Sequence, residues 1–345
     1  MMSGKVSRAA LAGWQEILPH RDLSKLSLFE GLNLGCSAEP GSSDGQVELA
    51  DFVAFLESEA DLLKRSDFFW RAGENYRYEQ LGDIGLAVLS SKTLGGALRR
   101  FASYFSLLQD ASEMNFEVAD SYATISYRIL DPKIWSRNCD ANFTLGIVAQ
   151  LIKGAVSADW RDADVIFEIE APKWGHDISD YLKVHCNYGG SANMIRMPVS
   201  WLSLPISGPA RTADVENALK ANLAAQQRDA NVRDRVQYHI FKNIGVRNFN
   251  QNTLAKEMGM SGRTLRRKLA EVKCNFQCLV DECRTGVAAL ELKRRPCASL
   301  TEIAFQLGYT EHSSFTRAFR RWNGRSPQQY RQDLSPRRTA SLAAE

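Results

Sequence analysis

No apolar run in the 345-residue sequence approaches the roughly 18 residues that a membrane-spanning helix needs, which excludes a helical membrane protein. The opening residues, MMSGKVSRAALAGW, carry basic side chains but no long apolar core and no cleavage site. They do not read as an export signal, and a cytoplasmic protein is expected. Cysteine is sparse: seven residues, at 36, 139, 186, 274, 278, 283 and 297, form an odd and scattered set. That excludes a disulfide framework and points to reduced thiols. No glycine-rich phosphate loop and no nucleophile elbow is present, so no catalytic residue and no cofactor is expected. Net charge is also small, +3 in all.

The charge is unevenly placed. From Arg247 to Arg338 there are 18 Lys/Arg against 8 Asp/Glu, a net of +10, which leaves −7 for the remainder. A basic C-terminal third beside an acidic remainder suits a polyanionic partner such as nucleic acid. Charge alone leaves a merely solvated basic face open.

Periodicity divides the chain in the same way. Residues 36–46, CSAEPGSSDGQ, read as a loop. Leu49, Phe52, Phe55, Leu56 and Leu63 then mark one helix face. Leu98, Phe101, Phe105 and Leu108 mark another, over Gly95 to Leu108. The period changes to two at Met114, Phe116 and Val118 and again at Ala123, Ile125, Tyr127 and Ile129, with a turn at Asp120-Ser121. That predicts a β-hairpin with one buried face. A helix (143–156), a strand (165–169), a short helix (178–184) and a strand (194–197) follow. The expectation is an α+β domain over 1–206, then a linker and linker helix over 207–228, beginning with SGPARTA. Beyond it only helices are expected: an all-α domain over 229–334 and a flexible tail over 335–345.

Within the helical part the sequence repeats. LAKEMGMSGRTLRRKLAEV (254–272) aligns with IAFQLGYTEHSSFTRAFRRW (303–322). Ala255 and Gly259 match Ala304 and Gly308, and Leu265, Leu269 and Val272 match Phe315, Phe319 and Trp322. The alanine permits a close helix crossing, and the glycine ends the first helix in a left-handed conformation. Ser261 or Thr310 caps or leads into the second helix. This is the plan of a helix-turn-helix, whose second helix enters the DNA major groove. At about 100° per residue, Phe315, Phe319 and Trp322 share a buried face, while Ser313, Arg317 and Arg320 lie opposite. Arg263 and Arg267 take the outward places in the first copy. Arginine suits them because its fork can bond guanine O6 and N7 together.

These two units, the bridging helix through Arg284 and Ala288-Ala289-Leu290, and the closing NGRSPQQYR resemble the DNA-binding domain of the AraC/XylS family of bacterial transcription activators. The resemblance covers about 230–331. Two departures stand out. Lys273 replaces a helix-ending glycine, which implies a strained or reshaped turn, and Asn323 replaces an aromatic or threonine. Roughly 30–206 is similar to the arabinose-binding-like regulatory domain of the family, chiefly through LGDIGLAVLSSKTLGGALRRFASYFSLL and SANMIRMPVSWLSLPI.

The resemblance implies a DNA-binding regulator, an activator, controlled by a small-molecule effector held in the N-terminal domain. It implies a homodimer that engages double-stranded DNA and RNA polymerase, with no membrane partner. Carried over by position, Arg263, Arg266 and Arg267 face bases in one groove segment, and His312, Ser313, Ser314 and Arg317 do so in the next. Thr264, Thr316, Arg320 and Arg321 fall to phosphates.

Other constellations are weaker. Trp135, Trp160, Trp174 and Tyr188 are pocket candidates only as aromatics, and core packing suits each better. Cys274, Cys278 and Cys283 lack a histidine to complete a tetrahedral metal site, and His176, His185 and Cys186 are equally loose, so no metal is expected. An alkyl-transfer repair enzyme would need a cysteine activated by histidine, which Cys297 in PCAS is not. A ligand-blind architectural DNA-binder is the third reading.

Overall fold

The computed structural model describes residues 4–23, 28, 46–156, 160–170, 177–206, 208, 213–246 and 249–334. Residues 36–45 of the expected loop, most of SGPARTA, the tail at 335–345, Trp174 and His176 lie outside the described residues. The chain divides into two compact units, Met1–Asp229 and Ala230–Glu345.

The first unit opens with β1 (Lys5–Ser7), α1 (Arg8–Leu11) and α2 (Trp14–Ile17), followed by β2 (Gln46–Glu48), which pairs antiparallel with β1. Four helices follow: α3 (Leu49–Leu63), α4 (Phe68–Glu74), α5 (Asp83–Leu89) and α6 (Leu94–Tyr104). Then come β3 (Ser112–Ala119), β4 (Tyr122–Ile129), α7 (Asn138–Ala155), β5 (Asp164–Ile166), α8 (Asp177–Leu182), β6 (His185–Asn187), β7 (Asn193–Pro198) and α9 (Ala213–Asp229). The main sheet runs β3-β4-β7-β5-β6, antiparallel except between β5 and β6. Ile125 of β4 faces Ile195 of β7, and both are fully buried, so the alternation of β4 sets the sheet's inner face.

Helix α7 is the centre of this unit. It is buried along most of its length and crosses α4 where two glycines meet. A Cβ on Gly73 would stand 2.2 Å from the Phe143 carbonyl oxygen, and one on Gly146 would stand 2.3 Å from that of Trp70. Neither position has room for alanine. Trp14 packs edge-on to Phe52 at 5.3 Å and against Phe143 at 4.7 Å, joining α2, α3 and α7.

Two polar clusters inside this core are hydrogen-bonded. Tyr127 donates its hydroxyl proton to Asp140, and Gln109 Nε2 donates to that hydroxyl at 2.5 Å and to Ser112 Oγ at 2.8 Å. Burial, ahead of the hydrogen bonds that oppose it, pushes the Asp140 carboxyl up to about 6. Arg137 and Glu168 form a buried ion pair, and Arg137 Nη1 also donates to the Ile129 carbonyl at 2.8 Å.

Several expectations change. The hairpin's buried face does not reach its tip: Phe116 is half-buried and Val118 is 49% exposed, because β3 is an edge strand whose outer end nothing covers among the described residues. The third strand stops at Ile166, and β6 was not anticipated, since three residues carry no readable alternation. Trp160 is core: it packs 6.3 Å from Trp70, and its indole N–H donates to the Leu182 carbonyl at 3.1 Å. Tyr188 stacks on Phe167 at 5.3 Å, and Trp135 is half-buried beside the Arg137 guanidinium at 5.9 Å. The helix expected as a linker, α9, packs within the first unit. Leu219 is 2% exposed in the core, and Gln226 Nε2 donates to the Ser106 carbonyl at 2.7 Å and to Asp110 Oδ1 at 2.8 Å.

The described residues of the second unit form helices joined by turns, with no strand among them: α10 (Val232–Lys242), α11 (Gln251–Glu257), α12 (Gly262–Glu271), α13 (Phe276–Arg294), α14 (Leu300–Gln306), α15 (His312–Asn323) and α16 (Pro327–Leu334). The long α13 packs against α10, α14, α15 and α16.

Candidate nucleic-acid interface

The two repeats fold as the same object, down to the hydrogen bonds of the turn. Asn250 caps α11 by accepting from the backbone N–H groups of Asn252 and Thr253 at 2.9 and 3.1 Å, while Thr253 Oγ1 accepts from the Asn250 N–H at 2.9 Å. Helix α11 then ends at Gly259 with φ +68°. The Gly259 N–H donates to the Lys256 carbonyl at 3.0 Å, and the Met260 N–H donates to that of Ala255 at 2.8 Å. Helix α14 ends at Gly308 with φ +81° and the same pair of bonds, Gly308 to Phe305 and Tyr309 to Ala304, both 3.0 Å. This is the Schellman stop, which needs a left-handed residue and so favours glycine. Ala255 and Ala304 are fully buried where each hairpin closes.

After the turn, each second helix divides its residues between two faces. Leu265 and Leu269 of α12, and Phe315 and Phe319 of α15, are at most 1% exposed. Phe315 meets Tyr309 at 5.7 Å and Phe319 meets Tyr330 of α16 at 5.5 Å. Arg263, Arg266 and Arg267 are exposed on α12, and Thr264 is half-buried. His312, Ser313, Arg317, Arg320 and Arg321 are exposed on α15, and Ser314 and Thr316 are half-buried. Both helices therefore set a polar, mostly cationic face against an apolar one. Lys268, also exposed on α12, escaped the sequence reading because it matches no outward arginine of the second copy.

Here the structure overturns one expectation and decides between alternatives in two others. Trp322 is 42% exposed and Val272 is 38% exposed, so the third position of each apolar stripe lies largely outside the core. Thr310 does not cap α15: Glu311 holds that position without a side-chain bond, whereas Ser261 caps α12 by accepting from the Thr264 N–H at 3.1 Å. Of the two alternatives for the Lys273 turn, strained or reshaped, the structure shows the strained one. Lys273 itself takes φ +56° and makes the same two bonds as the glycines, with the Lys273 N–H to Ala270 and the Cys274 N–H to Leu269 at 2.9 Å each.

Ion pairs hold α13 against the second copy. Asp281 of α13 accepts from Arg321 at 3.1 Å, so that arginine is engaged within the unit. Arg295 pairs with Glu291 at 3.0 Å and Glu302 at 2.6 Å, and Arg295 Nη2 donates to Gln306 Oε1 at 2.5 Å. The Arg284 guanidinium lies over the Tyr309 ring at 5.1 Å. Arg267 approaches Glu271 at 3.7 Å, with both side chains well exposed. Such a contact holds the arginine only weakly.

Cys283 is buried in α13, and burial raises its thiol well above the ordinary range, while Cys278 is exposed. No group of three or more His, Cys, Asp or Glu side chains that could hold a metal ion is found among the described residues. No helix among them is long and apolar enough to cross a membrane.

Comparison with known proteins gives the same two parts. Residues 27–206, more than half of the chain, match the family described as the arabinose-binding domain of AraC transcription regulator, N-terminal, and residues 254–333 match a helix-turn-helix domain family. An ornithine utilization regulator of Pseudomonas aeruginosa is 26% identical over 84% of this chain and 86% of its own. The transcriptional regulator VqsM of the same organism is 24% identical, over 84% and 93%. VirS of Mycobacterium tuberculosis is 25% identical, over 84% and 85%. With the duplicated hairpins behind one matched segment and the helix-and-sheet unit behind the other, the chain belongs to the AraC family of DNA-binding transcription regulators.

Proposed function

We propose that α12 and α15 enter successive major-groove segments on one face of a DNA duplex. Arg263, Arg266 and Arg267 read bases in one segment, and His312, Ser313, Ser314 and Arg317 read them in the other. Thr264, Thr316, Arg320 and Arg321 contact phosphates; Arg321 would have to share its guanidinium with Asp281. The observation that carries this reading is the duplicated Schellman turn with cations on the outward face after each copy. The regulatory part, within 1–206, binds a small-molecule effector and so controls a cytoplasmic homodimer that engages RNA polymerase as an activator. One relative is named for ornithine utilization, which supports testing small metabolites as effectors.

Genomic mapping of binding sites supplies the operator, and a quantitative footprint on it tests the residues. Arg267→Ala and Arg317→Ala are each expected to cost about 1–3 kcal/mol on the cognate site and to relax preference at one base position. Unchanged strength and preference in both variants sinks the assignment. Affinity should also fall steeply from low to moderate salt, as counterions are released from the phosphates. A flat salt profile contradicts groove entry by these helices.

A further inference from the structure

We infer that a cleft in the first unit, between the start of α6 and α9, binds a small organic carboxylate. The inference rests on the reading that this unit holds an effector, and it names the effector's chemistry and its seat. The cleft encloses about 840 Å³. Its walls include Ser91, Lys92, Arg99, Arg100, Tyr104 and Glu216. Three cations and one carboxylate line it, the Arg99 guanidinium also lying 5.8 Å over the Phe116 ring, in a chain whose N-terminal two-thirds is acidic overall. A positive hollow in an acidic surface selects small anions and disfavours a polyanion as large as DNA. Tyr104, mostly buried, offers an apolar wall to a carbon skeleton.

Arg100 is the central group. One nitrogen, Nη1, is fixed to Ser91 Oγ at 2.5 Å and to the Ala87 carbonyl at 3.3 Å. The other, Nη2, points to Glu216 of α9 at 3.7 Å, beyond hydrogen-bond reach. The side chain is only 22% exposed, so it is held in place by α5 and α6 while its outer edge makes a loose ion pair. A planar carboxylate bridging Arg100 with Arg99 or Lys92 could bond Arg100 more closely than Glu216 does at 3.7 Å, Glu216 itself also pairing with Lys220 at 3.3 Å. It would then compete with Glu216 and loosen that tie to α9. Helix α9 ends at Asp229, the last residue before the second unit, so occupancy of the cleft acts on the segment that leads into the DNA-binding part.

The test uses the full chain with succinate, citrate, glutamate and benzoate as probes, and with inorganic phosphate and sodium chloride of matched ionic strength as controls. Calorimetric titration should find saturable binding of at least one carboxylate and none of chloride. The exposed pair Lys92→Gln/Arg99→Gln should weaken it by about tenfold without changing the melting temperature of the unliganded protein. Glu216→Gln, which removes the competitor, should tighten it by roughly threefold or more. Absence of saturable binding by all four carboxylates overturns the inference, as does binding that the double variant leaves unchanged. Phosphate binding as tightly as the best carboxylate overturns the assigned class. The broader reading fails separately: it falls if no small metabolite, bound anywhere on the chain, alters operator binding.

Discussion

Lys273 offers a direct test of how α12, the second helix of the first hairpin, is anchored. It follows α12 and stands at φ +56° in a turn whose two hydrogen bonds match those at Gly259 and Gly308. A residue with a Cβ in the left-handed region costs about 1–2 kcal/mol relative to its right-handed state. Glycine removes that cost, but its greater freedom in the unfolded chain takes back about 0.4–1 kcal/mol. Lys273 is exposed, and its charge near the C-terminus of α12 is worth only about 0.3 kcal/mol at an exposed position. Lys273→Gly should therefore stabilise the turn by about 0.5–1 kcal/mol. Hydrogen exchange on peptides spanning α12 and the start of α13 reads this locally, as roughly two- to fivefold slower exchange. Lys273→Ala is the control: it removes the same charge and keeps the Cβ, so exchange should change little. If the glycine variant gains nothing, or if alanine gains as much, the conformational argument is wrong.

Two further outcomes follow from burial. Phe315→Ala should cost about 3–5 kcal/mol, because the ring is buried against Tyr309 and Phe319. Trp322→Ala, at a 42% exposed position, should cost about 1 kcal/mol or less in urea unfolding, and equal costs would contradict the packing. In the first unit, the Asp140 carboxyl is raised by burial to about 6 in the folded state, above its unfolded value near 4. The stability it contributes is therefore present at low pH and lost as pH rises from about 4 through 6, by about 2–3 kcal/mol in order of magnitude. Asp140→Asn, which can still accept from Tyr127, should melt higher than the parent at pH 7–8 and equally at pH 4; parallel melting curves across that range would refute it.

What the sequence made legible depended on how many residues a feature repeats over. The hairpins of the second unit were readable because each combines an alanine, a glycine and an apolar stripe at fixed spacing, and because the pattern occurs twice. The cores of α3 and α6 and the inner face of β4 were readable for the same reason: five or so apolar residues agree on one direction. Short elements gave no such agreement, so α1, α2, α4, α5, β1, β2 and β6 were missed. Helix α7 was seen only from Phe143, because its first turn carries Asn138, Asp140 and Asn142, whose polarity hides the burial of the latter two. The cleft beside α6 was illegible in principle: Arg100 and Glu216 lie far apart in sequence, and nothing local distinguishes either from a solvated charge.

Trp322 shows the limit of periodicity more sharply. The helical wheel assigns it the same direction as Phe315 and Phe319. Burial, though, also needs a neighbour at that height along the axis. Phe315 has Tyr309 and Phe319 has Tyr330, while the Trp322 ring is met by the Arg321 guanidinium at 5.6 Å. Val272, its counterpart after α12, is similarly uncovered. The stripe therefore holds each reading helix by its first and middle turns and leaves the last turn lightly packed. For α15, the ion pair from Arg321 to Asp281 takes over that task. A charged anchor at the end of a helix is weaker than a buried ring and more sensitive to salt. Asp281→Asn should therefore speed hydrogen exchange in the last turn of α15 at low salt by more than it does at high salt. Equal effects at both ionic strengths would mean that packing, not the ion pair, fixes that end of the helix.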